Sequence, residues 1–223
     1  LIVETKDLTK IYRIGSSKII AVNNVDLRVK KGTFISIFGP SGSGKTTLLN
    51  LIGLIDKPTS GKVFFNQIDT TALGDNERRK IRLFHIGFVF QTFNLLPQFT
   101  VIENIEVPMS LLDIPTDEQR KRALKLLEAV GLEKRKNHLP KQLSVGEMQR
   151  VAIARALANN PIIILADEPT GELDSKTGAE IVNLLNSLCQ EKDVAIIVAT
   201  HDERITKKAD IVYRMHDGML KKC

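Results

Sequence analysis

Val25, Leu27 and Val29 alternate with Asp26, Arg28 and Lys30, the period-two signature of a strand with one buried face. Lys31 and Gly32 mark a turn, and residues 33–38 then read as a buried strand that runs straight into Gly39. From residue 46 to about 54 the spacing turns helical, and 61–65 returns to strand. Residues from about 74 to 158 read mostly as helix, broken by a short strand at 86–91. Thr116 and Gln119, after Pro115, fit a capping box. Ala123, Leu126, Leu127 and Val130 then line one apolar face that ends at Gly131. The last third alternates again, with a strand at 162–167, a helix near 175–190, a strand at 194–200, a short helix and terminal strands. Alternating strands and helices predict a parallel sheet covered on both faces, with the helical middle as an inserted lobe.

Composition narrows the function classes. A chain of 223 residues is long enough for one large domain or two small lobes around a real core. At 43% hydrophobic and 26% charged residues it has ordinary globular usage, which excludes a disordered or fibrous protein. The longest apolar runs, 162–166 and 194–199, fall far short of the roughly 18 residues a membrane span needs, and no charged-then-apolar leader opens the sequence. A soluble protein is expected. The net charge of +6 suits an anionic ligand, a membrane surface or nucleic acid, and equally a merely solvated surface. Cys189 and Cys223 have no CxxC spacing and no neighbouring histidine cluster, so neither a metal nor a disulfide is favoured and a reducing setting is the default. Cys189 reads as a small apolar helix residue, Cys223 as an end-of-chain thiol.

Gly39-Pro40-Ser41-Gly42-Ser43-Gly44-Lys45-Thr46 matches G-x-x-x-x-G-K-[ST] in full, between a predicted strand and a predicted helix. A polyphosphate needs many donors at close range, so the backbone must wrap around it, and glycines permit that approach. The following helix aims its first amides and the positive end of its dipole at the phosphates. Lys45 can bridge the β- and γ-phosphates, and the Thr46 hydroxyl can ligate Mg²⁺. Further on, the buried strand at 162–167 ends in two carboxylates. Asp167 can hold Mg²⁺ directly or through water, and Glu168 can orient and deprotonate a water that attacks the γ-phosphate.

Gln142-Leu143-Ser144-Val145-Gly146-Glu147-Met148-Gln149-Arg150 precedes a helix that is apolar at Val151, Ile153, Ala154 and Leu157, and on its own Ser144 with Glu147 is a capping box. The phosphate loop, Gln91, this segment, the Asp167-Glu168 pair, Leu173-Asp174 and His201 follow one another in the order found in ATP-binding-cassette (ABC) ATPases, and the chain resembles that family over essentially its whole length.

The resemblance implies an α/β fold: a P-loop NTPase with an ABC-type nucleotide-binding domain. Its RecA-like core and antiparallel β subdomain would take in about 1–91 and 159–223, and its helical subdomain about 92–158. It implies ATP and Mg²⁺ as ligands and a head-to-tail homodimer that closes on ATP, so that the phosphate loop of one subunit faces Ser144, Gly146 and Glu147 of the other. Tyr12 would stack on adenine, unless it is simply a strand aromatic; Thr47 would join the loop residues at the nucleotide. Lys45, Gln91, Glu168 and His201 would form the catalytic set, with Thr46, Gln91 and Asp167 at the metal. Asp174 would sit at the dimer seam, though Asp174 or Ser175 could equally be just a helix cap. The family segment usually reads Leu-Ser-Gly-Gly-Gln; here Val145 replaces the first glycine and Glu147 the glutamine. A β-branched residue with positive φ is a costly outlier, so Val145 is expected to keep a negative φ.

Within the family, a single cassette with no membrane span resembles the stand-alone ATPase subunit of a transporter, peripheral on the cytoplasmic face of the inner membrane. Ile86-Gly87-Phe88-Val89-Phe90-Gln91-Thr92-Phe93-Asn94-Leu95-Leu96-Pro97, followed by Thr100-Val101-Ile102-Glu103-Asn104-Ile105, is similar to the lipoprotein-releasing and macrolide-exporter subgroup, whose permease has few spans and a large extracytoplasmic domain. A permease segment would dock near 91–98, where Phe93, Leu95, Leu96 and Phe99 either receive it or belong to the core of the helical lobe. Two other classes stay in view: a soluble ABC ATPase acting on DNA or ribosomes, and an ATP-switched module of a cell-division complex. No nucleic acid is expected, because the chain shows neither long coiled coils nor a second cassette.

Overall fold

The computed structural model describes residues 1–223, the side chain of Ile14 excepted. A long hairpin opens the chain, β1 (Val3–Ile14) pairing antiparallel with β2 (Ser17–Val29). β3 (Phe34–Phe38) leads through the glycine-rich loop into α1 (Lys45–Ile52). β4 (Ser60–Phe65) returns to pair antiparallel with β1, and β5 (Ile68–Asp69) completes a sheet ordered β2-β1-β4-β5. The middle holds α2 (Asp75–His85), β6 (Ile86–Val89), α3 (Val101–Ser110), α4 (Thr116–Ala129) and α5 (Val145–Ala156). β7 (Ile163–Asp167), α6 (Ser175–Lys192), β8 (Ala195–Thr200), α7 (Glu203–Thr206), β9 (Ile211–His216) and β10 (Met219–Lys222) follow. A second sheet runs β10-β9-β3-β8-β7-β6, parallel throughout except at β10.

The parallel strands carry no polar–apolar alternation because both of their faces are covered. Their side chains nonetheless alternate between two cores. Ile35, Ile37, Leu165, Ile197 and Ala199 pack with Leu48, Leu51 and Ile52 of α1 and with Leu8, Val22, Val25 and Leu27 of the antiparallel sheet. Phe34, Ile164, Ala166, Ile196 and Val198 point the other way, against Val151 and Ala154 of α5, Ile181 and Leu185 of α6, and the apolar face of α4. The registers set Phe38 opposite Thr200 and Asp167 opposite Ala199, so the carboxyl ends of β3, β7 and β8 finish at one edge.

Several local readings need correcting. The strand read at 86–91 stops at Val89, leaving Gln91 in a loop. Thr116 and Gln119 do not form a capping box: Pro115, which has no side-chain acceptor, is the cap, and Gln119 Nε2 donates to the Ile114 carbonyl at 2.6 Å. Ala123, Leu126, Leu127 and Val130 are buried as their spacing predicts. Most of β1 escapes a period-two reading because its pairing with β2 shifts register between Thr5 and Leu8 and again around Lys10, with Asp7 at φ 48.

Beyond Gln91, Asn104 on α3 is fully buried and braces the incoming chain. Its Oδ1 accepts from Leu96 N at 2.8 Å, and its Nδ2 lies 3.0–3.1 Å from the carbonyls of Leu96, Phe99 and Thr100. Asn104→Leu keeps the branched shape, with a somewhat larger side chain, and strips those bonds. Urea unfolding is expected to show a loss of about 2–3 kcal/mol, whereas an unchanged midpoint would mean that water replaces the amide.

Candidate functional site

The loop between β3 and α1 is clamped at its start, where Gly39 N donates to the Thr200 carbonyl at 3.2 Å. Gly44 closes it at φ 104, and a Cβ there would stand 2.0 Å from the Ala21 carbonyl, so both dihedral and space demand glycine. No acidic residue or side-chain cap competes for the first amides of α1, which leaves them for an anion. Lys45 is buried, with Nζ donating to the carbonyls of Gly39 at 2.8 Å and Pro40 at 3.0 Å and lying 3.5 Å from Glu168 Oε1. Ser43 Oγ is buried in the same loop without a partner.

Beside the loop, β7 delivers the two carboxylates. Asp167 Oδ1 is buried and unpartnered. Burial pushes its carboxyl above the usual range; the Thr46 hydroxyl and Lys45 pull it down, while Glu168 adds to the rise. Glu168 itself sits at φ 45, a left-handed backbone that costs a non-glycine residue about 1–2 kcal/mol. That turn is pinned by Glu168 N donating to the Ala199 carbonyl at 2.9 Å. Its Oε2 accepts from Thr200 Oγ1 at 3.2 Å and His201 N at 3.3 Å and lies 3.0 Å from His201 Nδ1. Thr200, fully buried, also accepts from Asp202 N, so its hydroxyl proton is aimed at Glu168. Nothing in the sequence singled out Thr200; its role follows from β7 and β8 being neighbours.

Gly44, Lys45, Glu168 and His201 line a cavity of about 470 Å³ together with Ser41, Gly42, Thr46, Thr47, Gln91 and Tyr12. Tyr12 donates its hydroxyl to Asp56 Oδ2 at 2.9 Å, and Lys10 Nζ, paired with Asp56 at 2.7 Å, stands 5.0 Å from the ring centroid. Burial, then Asp56, raises the phenol, and the Thr47 hydroxyl offsets part of the rise. Ile19 and Ile20, both exposed, complete that wall. Their signal was available in two adjacent apolar residues where alternation puts one outward. Gln91 reaches the rim and donates from Nε2 to Glu172 Oε1 at 3.0 Å.

Ser144, Gly146 and Glu147 do not line this cavity. Ser144 caps α5, its hydroxyl accepting from Glu147 N at 3.2 Å, while Glu147 accepts from Ser144 N at 2.8 Å and from Arg135 Nε at 2.9 Å. Val145 is the first residue of α5, is exposed and is not among the residues with positive φ, as expected. Gly146 packs on α6, where an added Cβ would meet Thr177 Cγ2 at 2.4 Å. Asp174 does cap α6, accepting from the amides of Lys176 and Thr177. The apolar residues after Gln91 divide: Leu95 packs against the core, while Leu96 and Phe99 are exposed.

A family model described as ABC transporter matches residues 22–171. An uncharacterized ABC transporter ATP-binding protein of Methanocaldococcus jannaschii, MJ0796, is 51% identical over 220 residues, spanning 97% of this chain and 94% of that one. The lipoprotein-releasing system ATP-binding protein LolD of Legionella pneumophila is 43% identical over 220 residues, spanning 99% and 97%. A dimeric post-hydrolysis state of the MJ0796 cassette bound to ADP and Pi matches with a TM-score of 0.91 at 49% identity, covering 99% of this chain and 98% of that one. The family match takes in the glycine loop, Gln91, the cap of α5 and both carboxylates of β7, and on that ground the chain belongs to the ABC transporter family as an ATP-binding cassette, an ATPase.

Proposed function

We propose that this ATP-binding subunit pairs with a second copy around two Mg-ATP and drives a separate membrane permease of the lipoprotein-releasing or macrolide-exporter kind, working at the cytoplasmic face of the inner membrane. The observation that carries the reading is the convergence of Lys45, Glu168 and His201 with the Thr46–Asp167 pair at the shared carboxyl edge of β3, β7 and β8. The names of the relatives support the rest: LolD is a lipoprotein-releasing ATP-binding protein, and the MJ0796 cassette is dimeric with ADP and Pi. Among the described residues no helix is long and apolar enough to cross a membrane.

In this reading Lys45 exchanges the Gly39 and Pro40 carbonyls for the β- and γ-phosphates, a better-matched pair of anionic acceptors. Thr46 and Asp167 hold Mg²⁺, and the buried, partnerless Asp167 Oδ1 is the feature that fits a cation. Few protein ligands suit a metal that keeps waters and phosphate oxygens. When bound, Mg²⁺ neutralises phosphate charge. Glu168, aimed by Thr200 and His201, orients the attacking water and takes its proton. Gln91 reaches the metal or the water from the rim, and His201 the γ-phosphate. Tyr12 packs on adenine with Ile19 and Ile20. Ser144, Gly146 and Glu147 of the second copy close the phosphate side, which explains why they lie outside the cavity of a single chain. Residues 92–158 form the lobe facing the permease, with Leu96 and Phe99 as its apolar contacts.

Glu168→Gln is expected to bind ATP and dimerise on a sizing column while turnover falls about 10²–10⁴-fold. Lys45→Ala should weaken nucleotide binding itself. Parental turnover in the glutamine variant would remove Glu168 as the base.

Asp167 gives a pH signature. Its folded-state pKa is raised, so the native state holds the proton more tightly than the unfolded chain, and stability declines as pH climbs from the ordinary carboxylate range through the raised value. Without nucleotide, Asp167→Asn is therefore expected to melt higher than the parent at neutral pH and to lack that slope, while losing the Mg²⁺-dependent part of ATP binding. A melt lower than the parent would contradict the burial argument.

Purification from gently solubilised membranes should bring down a few-span permease with a large outer domain. Recovery with ribosomes or DNA would keep the ATPase chemistry and overturn the transport assignment.

A further inference from the structure

The chain leaving Gln91 takes an unusual path. Phe93 at φ 60 and Asn94 at φ 49 are consecutive left-handed residues. Asparagine visits that region readily, phenylalanine rarely. Short-range bonds close the turn, with Phe93 N on the Phe90 carbonyl at 3.2 Å and Asn94 N on the Thr92 carbonyl at 2.6 Å. The outward-turned carbonyls of Phe93 and Asn94 both end on a single side chain from another element. Arg155 donates from Nη2 to Phe93 at 2.7 Å and from Nη1 to Asn94.

Arg155 is half-buried beside a cavity of about 270 Å³ whose lining includes Phe88, Phe90, Asn94 and Asn159 but no carboxylate. Among the described residues it forms no ion pair, unlike Arg150 one turn earlier, which reaches Glu180 at 2.9 Å. A partly desolvated guanidinium is costly, and here carbonyl dipoles compensate it. Two adjacent carbonyls presented to one planar fork make a bidentate site that a point-charged ammonium cannot match. Arg155 stands in the last turn of α5, the helix capped at its other end by Ser144.

We propose that Arg155 is a positioning residue for Gln91: its fork clasps the Phe93 and Asn94 carbonyls, holds the left-handed pair, and so ties the Gln91 rim of the nucleotide cavity to the helix that begins at Ser144. This rests on the role given to Gln91 above. A shift of α5 when a second copy engages Ser144 is then delivered to Gln91 through two hydrogen bonds, without any change in the phosphate loop.

Arg155→Lys breaks the fork and keeps the charge. Asn94→Val, on the exposed loop, opposes the left-handed backbone and leaves Arg155 in place, so it carries the same expectations should the lysine variant fold poorly. In the nucleotide-free chain, hydrogen exchange across 92–96 is expected to quicken in both while α5 stays protected. ATP turnover should fall about ten-fold with ATP affinity unchanged. In a Gln91→Ala background neither substitution should slow turnover further, since a residue acting through Gln91 has nothing left to position. Losses that multiply in the double variants, or loop exchange identical to the parent, would overturn the proposal. If Gln91→Ala turns over at the parental rate while Arg155→Lys still loosens the loop, the role of Gln91 is what fails.

Discussion

The register of three parallel strands is the constraint on which the rest depends. With Phe38 opposite Thr200 and Asp167 opposite Ala199, β3, β8 and β7 end level, so whatever follows each strand shares one small volume. A slip of two residues would keep every apolar side chain in its own core and still separate the loop, the carboxylates and His201 by about 7 Å along the strand axis. The two cores either side of the sheet hold that register, because each strand commits alternate residues to both. Site geometry is in this sense a by-product of double-sided burial.

Charge within the site is balanced locally. Lys45 is surrounded by two carbonyls and Glu168; Glu168 is met by Lys45, Thr200 and His201. Asp167 is the member left wanting, with a buried oxygen and a carboxyl driven toward neutrality by burial. A site whose cation and base already satisfy each other, and whose second acid does not, is asymmetric in what it demands: the base is ready, the metal position is in debt to solvent exclusion.

Features set by adjacent residues were legible in the sequence. The phosphate loop, the Ser144–Glu147 cap and the buried strand before Asp167 are local, and they stand where their spacing puts them. Val145 could be assigned a negative φ from sterics alone. Legibility failed where partners come from far along the chain. Thr200 matters because β8 lies next to β7; Ile19 and Ile20 because the hairpin folds over the loop; Arg155 because α5 ends under the chain after Gln91. β1 was hidden by its register shifts, and Thr116 with Gln119 offered a capping pattern that Pro115 pre-empts.

The left-handed turn at Glu168 carries an evolutionary consequence. Asparagine, aspartate and glycine are the natural tenants of such a backbone, and glutamate is not. Mutational drift judged by folding alone would therefore move this position toward glycine or asparagine, toward a sturdier and chemically silent protein. In this chain an acid stands at that place against the fold's own preference, so what holds it there is the chemistry of the site and not the stability of the turn.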